Sequence, residues 1–192
     1  MNQSIKVVND ITNYFSYNSI VILSFFLLSL LFLILNKLTN NKINNFFKLQ
    51  NSFILNPLLY IRMFTSTLCH ADWNHFKNNF LIILLIGPML EEKYGSINLL
   101  IMMAITAVII AILHLIFSGN PSLGASGITF MFITLSSIVN ITDGKLPLTL
   151  ILIFLFYIID EIIKGIKGKD NIGHDAHFIG AVCGAIFGIW IF

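Results

Sequence analysis

Four side chains in this 192-residue sequence have types and spacings suited to chemistry: Ser126, His177, His75 and Asn79. Ser126 stands between glycines in Gly124-Ala125-Ser126-Gly127, after the turn-forming stretch Ser118-Gly119-Asn120-Pro121-Ser122-Leu123. Glycines beside a serine let the backbone turn sharply and let another group come close. A serine here opens a helix, where unpaired N–H groups favour developing negative charge. The same tetrapeptide also suits an ordinary N-cap serine. His75 and Asn79 are an i, i+4 pair on one helix face. Both can donate to an oxyanion, although two interfacial polar residues would look the same. His177 lies one turn before Gly180, and Gly180, Gly184 and Gly188 share a face suited to close helix packing. His177 therefore falls at the edge of a close-contact surface, within reach of Ser126 if the neighbouring helix is the one that serine opens.

The elements that must position these groups are apolar. The chain is 57% hydrophobic and 10% charged, with a mean hydropathy of +0.88, whereas soluble domains carry about 25% charged residues. That excludes a soluble domain and a disordered chain. A spread-out net charge of +2 argues against a nucleic-acid partner. Cys69 and Cys183 are too few for a disulfide framework, and no CxxC occurs. Six charge-poor apolar runs stand out, at about 20–35, 75–90, 97–117, 126–141, 146–163 and 176–192. A membrane-crossing helix needs about 20 such residues, and the runs do not alternate as an outer-membrane barrel requires. The expected fold is an all-α membrane protein, a bundle of six transmembrane helices over 20–192. A polar tail (1–19) precedes it, and a long first loop (36–74) dips into the membrane interface. The second, fourth and sixth spans run in one direction, so their N-terminal ends share one side of the membrane. His75 and Asn79, Ser126 and His177 open those three spans. Polar groups at membrane depth face a bundle interior or a wet cavity.

The stretch His70-Ala71-Asp72-Trp73-Asn74-His75 with Asn79, then Gly124-Ala125-Ser126-Gly127, then Ala176-His177 with Gly180 and Gly184, resembles the rhomboid family of intramembrane serine proteases. Residues 87–95, with Glu91 and Gly95, are similar to the family's turn between its second and third helices. Tyr60-Ile61-Arg62 falls where the family often has Trp-Arg. Two departures are visible: Ile61 stands in place of the tryptophan, and Phe130 stands where many members carry a tyrosine against the catalytic histidine. The phenylalanine ring can still stack on His177. The resemblance implies a rhomboid-like fold and a serine endopeptidase with a Ser126–His177 dyad. Its oxyanion donors would be the Ser126 backbone N–H, His75 and Asn79, and Gly127 would leave room for the substrate backbone. It implies no cofactor and no metal. The partners would be the lipid bilayer and single-span transmembrane protein substrates, with helix-weakening residues helping at the cut. A multi-pass position, with the cell membrane as the expected site, follows as well.

The family orientation, with the N-terminus in the cytoplasm, puts Lys6, Lys93 and Lys145 inside. Lys37, Lys42, Lys48, Arg62, Lys77, Lys164, Lys167 and Lys169 then lie outside, the reverse of the positive-inside rule. Lateral substrate entry past the fifth span and the loop at 164–175, with Gly165, Gly168 and Gly173, is expected. Three alternatives stay open: a catalytically inactive rhomboid-like client binder, a small-solute transporter, and a zinc site built from His70, His75, His174 and His177. Asp175 reads as a loop residue, and His114 as a packed histidine with some hydrogen-bond partner.

Overall fold

The computed structural model describes residues 19–118, 120–139, 148–153, 155, 156, 159, 163 and 174–190. Within them run α1 (Ile20–Leu38), α2 (Lys42–Phe47), α3 (Pro57–Thr65), α4 (Trp73–Tyr94), α5 (Ser96–Phe117), α6 (Ser126–Ile138), α7 (Leu148–Ile153) and α8 (His174–Trp190). The described residues are all-α; one antiparallel bridge, Leu49 to Ser122, is their sole β pairing. The tail at 1–18, much of the fifth apolar run and the loop at 164–173 lie outside the described residues. So do Lys145, Lys164, Lys167, Lys169 and the loop glycines expected to gate substrate entry.

Large apolar side chains face outward on α1 (Leu27, Leu31, Ile34), α4 (Leu81, Leu85) and α5 (Ile97, Ile105, Ile116). Outward-facing apolar surface of this extent among the described residues suits lipid rather than water. With mean hydropathies of 2.4 and 2.9, α1 (19 residues) and α5 (22 residues) are each long and apolar enough to cross a membrane. The chain is an integral membrane protein built as a helical bundle.

The first loop differs from the expectation of a plain interfacial excursion, because it folds into α2 and α3. Its Asn-rich start works as structural joinery. Asn40 and Asn41 turn the chain with positive φ, a conformation asparagine tolerates. Buried Asn36 accepts from the Asn44 N–H, and Asn44 donates to the His70 carbonyl. At α3, Asn56 caps the Leu58 N–H and Pro57 takes the first helical position, as N-terminal caps commonly do. Residues 87–94, expected as a turn, stay in α4, and only Gly95, at φ +80°, leaves the helix. Buried Glu91 reaches across instead and accepts from the Val21 and Ile22 N–H groups at the start of α1. Those are unpaired donors of a helix N-terminus, where a carboxylate is favoured.

At the centre lies α6. It packs against α4, α5 and α8, and its contact with α8 is the most extensive in the bundle. It has only 13 residues, about 20 Å at 1.5 Å per residue. The hydrocarbon core is about 30 Å thick. Its N-terminus is therefore met by the loop at 118–125.

Candidate active site

That loop is tied down just before Ser126. Leu49 and Ser122 exchange two backbone hydrogen bonds at 2.9 Å, and the Gly124 N–H donates to the Ser66 carbonyl at 2.9 Å. The Ala125 N–H donates to His70 Nε2 at 3.4 Å. His70 is fully buried and its Nδ1 faces the Leu68 carbonyl at 3.2 Å. An acceptor at Nε2 leaves the proton on Nδ1, so the neutral ring satisfies both contacts. Burial holds its pKa down at about 4. Both ring nitrogens are thus occupied, Nε2 by the loop that leads to Ser126 and Nδ1 by the ring's own turn, which takes His70 out of the zinc alternative; the His174 side chain lies outside the described residues.

His75 is the third residue of α4, and its backbone N–H is held by the Asp72 cap at 2.9 Å. Its ring lies against Gly124. A Cβ there would sit 2.7 Å from His75 Cε1 and Nε2, and Gly124 has φ +124°. Space and backbone both demand glycine, and the imidazole is thereby brought beside the serine's loop. One turn on, buried Asn79 accepts a long 3.5 Å contact from the Thr129 hydroxyl at its Oδ1. Its Nδ2 is buried with no hydrogen-bond partner among the described residues.

His177, the fourth residue of α8, stacks flat on Phe130, with ring centroids 4.4 Å apart and 10° between planes. Phe130 lies one turn after Ser126 on α6, so ring and serine share a helix face. The glycines of α8 make this approach possible. A Cβ on Gly180 would land on the Gly127 carbonyl oxygen, one on Gly184 on the Met131 carbonyl, and one on Gly188 would sit 2.7 Å from Ile138 Cγ2. The small-residue face expected from sequence is the face that meets α6. A Cβ on Gly127 would collide with the Ile110 side chain and approach the Ala176 carbonyl. The lack of a side chain at Gly127 thus also lets α5 and α8 pack closely here.

His75, Asn79, Ser126, Gly124, Gly127, Phe130 and His177 line one cavity of about 940 Å³. Asp175 corrects the sequence expectation of a loop residue. It sits in the first turn of α8 and bonds His114 Nδ1 at 2.5 Å. Neither His114 nor Asp175 belonged to the expected site, and both line the cavity. The signal that pointed to them was a lone histidine in an apolar span, which at membrane depth calls for a partner. A cavity holding a hydroxyl, an imidazole and several N–H donors suits acyl transfer with general base help.

A family profile described as the Rhomboid domain matches residues 58–192, a stretch that includes every residue just named except Leu49. Among curated proteins, Rhomboid-like protein 11, chloroplastic, from Arabidopsis thaliana is 27% identical over 142 residues, which cover 66% of this chain. The same alignment covers 50% of the relative, so the chain spans about half the length of that protein.

Proposed function

The chain belongs to the rhomboid family, and from that premise we propose that it is a serine endopeptidase acting inside the bilayer on transmembrane segments of single-span membrane proteins. The reading gives it six spans, carried by α1, α4, α5, α6, the region of α7 and α8. A short α6 entered from a tethered loop supports a serine held below the membrane surface, where a cavity with polar side chains in its wall reaches it.

In this reading Ser126 Oγ attacks the peptide carbonyl while His177 takes its proton. The new oxyanion receives the Ser126 backbone N–H, the His75 ring and Asn79 Nδ2. His177 then returns the proton to the leaving amine, which departs as the C–N bond breaks and an acyl-enzyme remains. Water next attacks the acyl carbon with His177 again as base, and Ser126 is released. Phe130 supplies a face for the imidazole and no hydroxyl.

The observation that carries this reading is the unpartnered Asn79 Nδ2 in the wall of the cavity that Ser126 and His177 share. A buried donor without an acceptor costs about 1–3 kcal/mol, and a substrate oxyanion would supply the acceptor in the transition state. The bilayer is the reading's location. The cell membrane expected from the sequence draws no support from a relative named chloroplastic.

The test is labelling of the purified chain by a fluorophosphonate probe. Wild type should label, Ser126→Ala should not, and His177→Ala should label about 10²- to 10⁴-fold more slowly. Labelling of Ser126→Ala at the wild-type rate would remove the assigned nucleophile. Wild type that resists the probe while retaining transmembrane clients would favour the client-binding alternative.

A further inference from the structure

Three parts of the chain meet at His114. Its Nδ1 lies 2.5 Å from Asp175 Oδ2, and its Nε2 lies 2.9 Å from the Asn120 carbonyl oxygen. The ring is buried near the C-terminal end of α5, whose last turn it also braces through its own carbonyl to the Ser118 N–H. Both ring nitrogens face acceptors, so the ring acts as a two-pronged donor in its imidazolium form, with the Asp175 carboxylate as counter-charge. One prong holds the first turn of α8, two residues before His177. The other holds the loop six residues before Ser126. A polar pair of this kind gains little as a stabiliser, since a hydrophobic replacement of similar volume is often neutral or better. At membrane depth such groups mark function.

We propose that His114 and Asp175 are positioning residues that set the register of His177 against Ser126, by fastening the base's helix and the nucleophile's loop to one ring. This rests on the Ser126–His177 reading above. Neither residue touches the reacting atoms. Losing the clamp leaves the Gly180 and Gly184 packing in place but frees the first turn of α8. A displacement near 1 Å at a reacting group can cost about 10²-fold in rate.

The experiment is saturation kinetics of fluorophosphonate inactivation on the full chain in detergent micelles, with each rate normalised to the fraction of chains that label. Asp175→Asn and His114→Gln should each lower the maximal inactivation rate by about 10- to 100-fold and leave the half-saturating probe concentration within about twofold. The double variant should be no slower than the worse single one, as for two members of one unit. Asp175→Glu, which keeps the carboxylate, should recover most of the rate. A purely structural pair would lower thermal stability and the labelled fraction but not the rate per labelled chain; that outcome overturns the proposal. So does failure of both single variants to give a monodisperse folded species. Wild type that fails to label, or Ser126→Ala that labels normally, would instead overturn the dyad reading.

Discussion

Two helix seams in this molecule are built by different means. The α1–α4 seam is filled by rings: Phe25, Phe26, Phe76 and Phe80 meet with centroids 4.6–5.6 Å apart. Its glycine, Gly87, lies under Ile22 and the edge of the Phe132 ring, where an added Cβ would meet Ile22 Cδ1 at 2.7 Å and Phe132 Cε2 at 3.2 Å, side-chain atoms rather than backbone. The α6–α8 seam is backbone on backbone, with Gly180 over the Gly127 carbonyl and Gly184 over that of Met131. Lipid tails are as apolar as phenylalanine, so helices in a bilayer are held by contact quality and not by leaving water. A seam of rings can repack after a change. A seam of carbonyls cannot, and that is the one carrying the serine and the imidazole. Tolerance lies where only shape is needed, and rigidity where the proposed reading needs Ser126 and His177 to meet.

The contrast can be broken at several points. Gly180→Ala should be the most damaging: the helices must separate, costing about 3 kcal/mol and most of the probe reactivity, read by reversible unfolding in mixed micelles. Retention of wild-type stability would mean the seam is looser than its geometry. The first loop gives a second test through pH. Folded His70 binds its proton near pH 4 and the unfolded residue near 6.5. Between those values the unfolded state holds more protons, so stability falls as pH drops through that window and is indifferent to His70 above it. Between pH 7 and 5 His70 should account for about 2 kcal/mol, seen as the difference between wild type and His70→Gln; equal slopes would contradict its burial as a neutral ring. Phe130→Leu should remove the stack on His177 and slow probe labelling by about fivefold, a loss near 1 kcal/mol, with little change in stability. Gly87→Ala should cost under about 0.5 kcal/mol, because the Ile22 and Phe132 side chains need only shift and alanine gains about 1 kcal/mol over glycine inside a helix. A cost as large as that of Gly180→Ala would erase the distinction between the seams.

Most of the helical framework could be read from the chain itself, since long charge-poor runs set α1, α4, α5, α6 and α8 to within a few residues at most ends. The glycine face of α8 was legible because a spacing of four is a local pattern. What escaped was tertiary. Asn36, Asn44 and His70 form their ties across 8 and 26 residues, and the Asn-rich start of the first loop looks merely solvated when read alone. Asp175 and His114 are 61 residues apart, and neither stands in a motif. The packing role of Gly127 escaped as well, because its neighbours, Ile110 and Ala176, come from two other helices. The family resemblance put a turn at 87–95, yet the helix continues to Tyr94 and carries Glu91 to the start of α1.

The most direct measurement is cleavage of a panel of single-span membrane proteins by the chain reconstituted in vesicles, comparing wild type with Ser126→Ala and His177→Ala. Wild type should release two fragments of at least one panel member, cut near the end of its span, and both variants should release none. Fragments of the same size and rate from Ser126→Ala would contradict the account.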